Sequence, residues 1–430
     1  MTHFGIICPA AAGHLNPMTT LGYELKKRGH LVTVINIEDV RSKALAAGLE
    51  FEPIGKSDFP EADTDLFVGS GSLDREPFEH TRTQWLISAI AVLRDAPEII
   101  ERTGIDALLV DRCSAEGDTL AEYLHIPFVS VCSAIMLNRD PTVPPFTTSW
   151  GYDPTGDGIL RNQSGYAQLD RAMKPLQKVI DDYRSMWNLP FVDNSLEIYS
   201  SLAQICQQPE EFEFPRKELP SCFHFTGPYI NPAIREPIPF PFEKLTGQPL
   251  IYASLGTIQD RYLSIVIAIA QACAAFLNVQ LVITLGGGAT PESLPQLPGN
   301  PIVVGYAPQL ELLSKATLTI THAGMSTVLE SLSNGVPMVA IPITNDQPGV
   351  AARIAWTGTG KVVPLEEVSV ENIRRAIEQI IRKDSYKNNA LKLQESIKQA
   401  GGVTKAADII EQAIATGKPV LARATNYNFD

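Results

Sequence analysis

The chain lacks any apolar run long enough to cross a bilayer. Its most hydrophobic stretch, Leu263 to Leu277, falls short of the roughly 18 to 20 residues a span requires, and Gln271 interrupts it. That stretch reads as a helix packed deep against a sheet. Positive charge is scarce as well: 35 Lys and Arg against 48 Asp and Glu leave a formal net charge of -13, which repels phosphate backbones and excludes an ordinary nucleic-acid binder. Cysteine pairs are missing. Cys8, Cys113, Cys132, Cys206, Cys222 and Cys273 lie far apart with no C-x-x-C spacing, as expected of free thiols in a reducing, cytoplasmic compartment. The opening MTHFGIICPAAAGH carries no basic n-region before its apolar run, so it is expected to be a core strand instead of a secretion signal. Neither solenoid repeats nor low-complexity tracts occur. At 430 residues, and about 150 per domain, two or three globular units are expected.

What is present is alternation. Short β-rich runs bounded by Gly, Pro or charge occur at Phe4 to Pro9, Leu31 to Ile37, Phe51 to Ile54, Ala107 to Val110 and Phe128 to Cys132. Between the first two, Asn16 to Arg28 has helical periodicity, with Met18, Leu21 and Leu25 on one face and Gly29 as a stop. The second half repeats the scheme at Leu250 to Ser254, Gln280 to Leu285, Ile302 to Val304, Leu318 to Thr321, Met338 to Ile341 and Lys361 to Val363. Strand and helix in turn predict α/β architecture with two Rossmann-like, doubly wound parallel sheets. Gly227 to Pro249 holds six prolines, which deny the backbone donors a helix or central strand needs. Residues 1–227 and 250–430 are therefore expected to be two domains joined by a 228–249 linker, the last helix packing back on the first domain. Ligands of open α/β sheets bind at the carboxyl ends of the strands, so the active site should lie in the cleft between the two.

Leu318 to Thr321 runs into His322, Ala323, Gly324, Met325, Ser326 and Thr327 before a helix through Glu330. A strand, a glycine turn and a hydroxyl-rich helix start aim unpaired N–H groups and a positive dipole end at one point, which suits a phosphate. The pattern is neither GxGxxG nor a Walker loop, so dinucleotide and ATP readings lose support. The His322 ring can reach the same anion. Glu330 can accept hydrogen bonds from a ribose diol, and Asp346 with Gln347, after the next strand, can serve a polyhydroxylated ring. At the other end, His14 follows strand one and Asp111 ends strand four. In a sheet of order 3-2-1-4-5 those strands are neighbours at the topological switch point, which places the two side chains together. An imidazole can take a hydroxyl proton near neutral pH while a carboxylate on its other nitrogen orients it.

Tyr306 to Gln347, YAPQLELLSKATLTITHAGMSTVLESLSNGVPMVAIPITNDQ, resembles the donor-binding box of the family 1 glycosyltransferases, UDP-dependent enzymes of the two-domain GT-B fold. The likeness extends to GHLNP near the start and covers essentially the whole chain, most like bacterial members acting on carotenoids, macrolides and phenolics. It implies that Tyr306, Ala307 and Gln309 hold uracil, that His322, Gly324, Ser326 and Thr327 hold the pyrophosphate, that Glu330 holds ribose, and that Asp346 and Gln347 hold the sugar. It puts Ser254, Gly256 and Thr257 on a phosphate-side loop, Ser133 near the donor sugar, and His14 and Asp111 at the base and orienting-acid positions. Tyr306 stands where plant members carry Trp, and Thr344 replaces another plant Trp. The implied reaction is inverting transfer of a hexose, most simply glucose, from a UDP-sugar, without metal or cofactor.

Acceptor specificity is expected from the first half, where Phe59, Phe67, Trp85, Ile135, Met136, Phe146, Trp150 and Tyr152 lie in or near irregular stretches able to form an apolar pocket. A lipophilic hydroxylated acceptor follows, with transient bilayer contact while it is collected. Asp63-Thr64-Asp65 spells a DxD but sits in a polar loop far from the phosphate segment, so no metal is assigned to it. Gly286 to Gly288 reads as a loop facing the cleft, and the sequon at Asn162 has no secretory context. The rival readings are a UDP-sugar epimerase of the same architecture and a non-catalytic nucleotide-sugar-binding subunit.

Overall fold

A computed structural model describes residues 1–56, 77–256, 262–287 and 289–422. The first lobe contains β1 (His3–Ile7), α1 (Ala12–Lys27), β2 (Leu31–Asn36), α2 (Arg41–Ala46), β3 (Glu50–Pro53), α3 (Pro77–Thr103), β4 (Ala107–Asp111), α4 (Glu116–Leu124), β5 (Phe128–Cys132), α5 (Gly156–Met186), β6 (Gln204–Cys206) and β7 (Phe223–Phe225). The second contains β8 (Leu250–Ser254), α6 (Leu263–Cys273), β9 (Gln280–Thr284), β10 (Ile302–Val304), α7 (Gln309–Leu313), β11 (Ala316–Thr321), α8 (Met325–Ser333), β12 (Met338–Ala340), α9 (Gln347–Trp356), β13 (Gly360–Val362), α10 (Val370–Arg382) and α11 (Asp384–Ala400), and α12 (Gly402–Thr416) closes the chain.

Both sheets are parallel throughout, in the orders β3-β2-β1-β4-β5-β6-β7 and β10-β9-β8-β11-β12-β13. Each has its switch point beside its first strand. Every residue of β1, β4 and β8 is buried, as near-continuous apolar strands covered on both faces must be. One face of the first sheet packs on α1, the other on α3, α4 and α5. The apolar Leu263–Cys273 helix packs on the second sheet with Ile373, Ile377 and Ile380 of α10, which is the buried place its composition predicts. β6 and β7 extend the predicted five-stranded order. At three residues each, they are too short for periodicity to reveal.

The chain crosses back at its end. Ala406, Ala407, Ile409, Ile410 and Ala413 of α12 are buried in the core made by β1, β2 and α1, and Arg28 holds Asp408 and Glu411 at 2.6 Å each. Burying each of the two isoleucines contributes about 1.5–3 kcal/mol. Segments of the first lobe enter the second in turn: Ile135 and Phe212 lie in the core formed by α8, α9 and α11. Gly349 of α9 donates its N–H to the Phe146 carbonyl at 3.1 Å, and a Cβ there would stand 2.4 Å from that oxygen. Below this seam Arg353, 1% exposed, donates to both Glu213 oxygens, at 2.9 and 2.5 Å, while Arg216 reaches the same carboxylate at 3.3 Å.

Candidate active site

α1 begins at Ala12, four residues ahead of the predicted start, so His14 lies in its first turn and not in a loop before it. Pro17 lies inside the helix, where it removes one N–H. The Gly13 carbonyl, which would have accepted that N–H, instead accepts the Ser326 hydroxyl from the other lobe at 3.4 Å. The β1–β4 pairing brings His14 to Asp111: Nδ1 lies 3.0 Å from Oδ2. Ser133, at the end of β5, donates its hydroxyl to the same carboxylate oxygen and lies 3.1 Å from Nδ1. Its hydroxyl is thus bonded within the dyad. The other Asp111 oxygen accepts the Cys113 backbone N–H at 2.8 Å. With a carboxylate on Nδ1, the neutral imidazole keeps its proton there and offers Nε2 as a lone pair. Burial pulls the His14 pKa down, but the Asp111 charge, its hydrogen bond and the Asp346 charge outweigh this, and the net shift is upward.

His14, Asp111 and Cys113 also offer ligand atoms within 4.8 Å of one another. The carboxylate is committed to three donors, however, and burial together with the Asp111 charge pushes the Cys113 thiol up, away from the thiolate a metal needs. The set suits proton transfer better than metal ligation.

On the facing side, α8 starts at Met325, with Gly324 as its N-cap, after a turn in which Ala323, fully buried, takes φ 66 and donates its N–H to the Thr321 hydroxyl at 3.2 Å. A residue other than glycine in that region costs about 1–2 kcal/mol, and the turn lifts the helix's first N–H groups toward the gap. The His322 ring is clasped by two glycines: a Cβ would stand 2.9 Å from it at Gly256 and 2.5 Å from it at Gly324. Burial drives the His322 pKa down to about 4, and among the described residues its buried Nδ1 has no hydrogen-bond partner. It is therefore neutral at pH 7, a donor or acceptor but not a cation.

Glu330, 1% exposed, accepts Gln309 Nε2 at 2.6 Å on one oxygen and the Arg235 guanidinium on the other. Gln309 also reaches Thr327 Oγ1 at 3.3 Å, and its own oxygen accepts the Tyr252 hydroxyl at 3.0 Å. Gln309 thus braces Glu330 and Thr327 from below. Tyr306 is 56% exposed, its hydroxyl lying against Gly287, and Ala307 is buried beside it, an arrangement that leaves an aromatic face open for stacking. Asp346 precedes α9 and accepts the Ile135 N–H from the first lobe at 3.5 Å. Burial raises its pKa, the His14 charge opposing. Gln347 spends its side-chain oxygen on the Ile343 and Thr344 N–H groups at 2.9 Å each, so it shapes the loop and leaves its NH2 for a ligand.

The sequence-predicted residues therefore fall in two facing groups, His14, Asp111 and Ser133 against Ser254, Gly256, Gln309, His322, Gly324, Ser326, Thr327, Glu330 and Asp346, with direct contacts across the gap at Ser326 and Ile135. The expected acceptor residues disperse. Met136 is buried with Cys132, Cys206 and Phe223, Trp85 packs on the α3–α5 core, and Trp150 lies against Gly165 with the Arg161 guanidinium over it. Ile135 and Phe146 do stay at the seam beside Asp346. Tyr152 stacks with Phe214 and meets Trp356 edge-on. Phe59, Phe67, the Asp63–Asp65 triplet, Thr257 and Gly288 lie outside the described residues. Arg235 was not foreseen, because a lone cation in a proline-rich stretch has no spacing relation to a helix 95 positions on.

Two parallel-sheet lobes meeting along one gap make up the GT-B glycosyltransferase architecture. The calicheamicin glycosyltransferase CalG4 superposes with a TM-score of 0.74 at 22% identity, covering 97% of this chain and 100% of that one, and glycosyltransferase VinC in complex with DTDP with a TM-score of 0.68 at 18% identity, covering 97% and 100%. The UDP-glucoronosyl and UDP-glucosyl transferase family model matches residues 168–401. A zeaxanthin glucosyltransferase of Pantoea ananas is 31% identical over 98% of both chains. The chain belongs to this family: it is a glycosyltransferase that moves a sugar from a nucleotide-sugar donor to a small-molecule acceptor. The epimerase and binding-subunit readings are not favoured.

Proposed function

We propose that the enzyme transfers glucose from UDP-glucose, with inversion, to a hydroxyl of a small lipophilic acceptor of the hydroxylated carotenoid, terpenoid or phenolic kind. The observation that carries the reading is the His14–Asp111 pair at 3.0 Å, set against the helix start and Asp346 of the other lobe. In this reading His14 Nε2 takes the acceptor hydroxyl proton as the oxygen attacks the anomeric carbon. The C1–O bond to the diphosphate breaks, and UDP leaves with the bonding electrons. Asp111, held by Ser133, stabilises the imidazolium. The N–H groups and dipole of α8 receive the charge growing on the leaving group, and Glu330 takes the ribose hydroxyls. Tyr306, Ala307 and Gln309 bound the uracil position, His322, Ser254, Gly256, Thr257, Ser326 and Thr327 the diphosphate, and Asp346 with Gln347 the hexose. Residues 1–227 form the acceptor unit and 250–430 the donor unit, with α12 packing back on the first.

The lipophilic acceptor is supported by the zeaxanthin-directed relative and by Ile135 and Phe146 at the seam. No helix among the described residues is long and apolar enough to cross a membrane. A cytoplasmic enzyme meeting its acceptor at a bilayer surface is part of the same proposal. The test is incubation with UDP-glucose, UDP-galactose and TDP-glucose against hydroxylated carotenoids, sterols and phenols presented in micelles, with product masses read directly. Glycosides from UDP-glucose and apolar alcohols are expected, and turnover confined to small polar sugars would overturn the acceptor class.

A further inference from the structure

Arg235 comes from the stretch between the two sheets, yet its guanidinium meets Glu330 inside the second lobe, where the carboxylate is 2% exposed and the arginine 30%. Gln309 occupies the other Glu330 oxygen. Arginine carries five donors and a carboxylate about four acceptor positions, so this pairing exhausts neither group. Among the described residues Glu330 is the one side-chain partner of Arg235, which leaves Nε and Nη1 free to serve another oxygen. The direction they can serve is set by the helix: Ser326 precedes Glu330 by one turn, about 6 Å along the axis. Glu330, which holds the arginine, therefore lies about one helical turn from the anion-ready start of α8. Electrostatics requires a cation there. A buried carboxylate repels a diphosphate bound one turn away, and His322, neutral at pH 7, cannot offset it.

We infer that Arg235 is a donor-binding residue supplied by the interdomain segment: it neutralises Glu330 so that the carboxylate can take the ribose, and it gives its remaining donors to the nucleotide's diphosphate. The inference rests on the donor-site reading of α8 and adds a phosphate ligand from outside the second lobe. Such a ligand ties nucleotide occupancy to the position of the segment joining the lobes.

The test is calorimetry with uridine, UMP and UDP on the full-length protein and on R235Q and R235K, each first checked by thermal melting. R235Q is expected to weaken UDP about tenfold or more and UMP less, with uridine changed under twofold, and R235K should recover part of the loss because it restores charge without the fork. Equal weakening of uridine and UDP would mean that Arg235 merely holds Glu330 in place, and unchanged UDP affinity would remove it from the site; either overturns the proposal. Failure of the unaltered protein to bind UDP at all would instead overturn the donor-site reading beneath it.

Discussion

The imidazole of His14 is pulled two ways, and the balance sets how the enzyme responds to acid. Burial lowers its pKa, but Asp111 and Asp346 carry it above the ordinary histidine value. A base must be neutral to accept a proton, so turnover falls as pH drops through that raised value, and the acid limb of kcat should lie above about pH 6.5. Asp111→Asn removes the main opposing charge and is expected to move the limb to lower pH while cutting kcat, as a pH–rate profile would record. His14→Ala should lose on the order of 10² to 10⁴ in kcat with UDP affinity unchanged, measured by steady-state kinetics beside calorimetry; near-full transfer by this variant would end its role as base. Both residues are legible in the sequence because parallel topology alone makes neighbours of the ends of strands one and four. The bond from the Ser133 hydroxyl to Asp111 is not, since no rule of spacing turns a serine after β5 toward that carboxylate.

Among elements, α8 shows how a sequence motif becomes a cradle. The hydroxyl-rich helix start can be read directly from HAGMST, but the left-handed Ala323 and the two glycines clasping His322, one of them from a separate segment after β8, emerge only in the fold. Gly324→Ala would push its Cβ into the His322 ring. UDP binding should fall at least about tenfold, some 1.4 kcal/mol, with a small change in melting temperature; unchanged affinity would show that the ring yields freely. The same histidine makes the fold sensitive to acid. Its folded-state pKa, about 4, lies below the unfolded value near 6.5, so its contribution to stability is full above pH 6.5 and is lost as pH falls toward 4. His322→Asn should flatten that part of a stability-against-pH curve measured by urea denaturation. In α1 the helix begins four residues ahead of Asn16, the expected start, with Pro17 inside it, and the carbonyl that Pro17 frees becomes a contact across the gap.

At the scale of the molecule the two lobes are not loosely hinged on every side. Arg353, Glu213 and Arg216 form a buried charge cluster at the seam, with Arg353 over the Phe214 ring at 4.5 Å. Arg353→Met loses both hydrogen bonds to Glu213 and leaves Arg216, at 3.3 Å, as that carboxylate's remaining cation, so it should cost about 1–3 kcal/mol, seen as a lower urea midpoint. Asp346 lies seven residues before Arg353, so the variant should also raise KM for the donor. Nothing in the sequence marks this cluster, because Glu213 and Arg353 are 140 positions apart and each reads alone as a surface charge. The two-sheet architecture, by contrast, follows from alternation and one proline-rich stretch.

The path of α12 matters most to anyone who would recombine this scaffold. Because β1 and α12 pack in the same body, the second lobe is inserted between two parts of the first. A hybrid enzyme built to exchange donor preference must transplant it as a cassette ending near Gly401, leaving residues 402–422 with the host that owns β1 and α1. A single crossover in the proline-rich stretch would instead pair a foreign terminal helix with a groove shaped for Ile409 and Ile410.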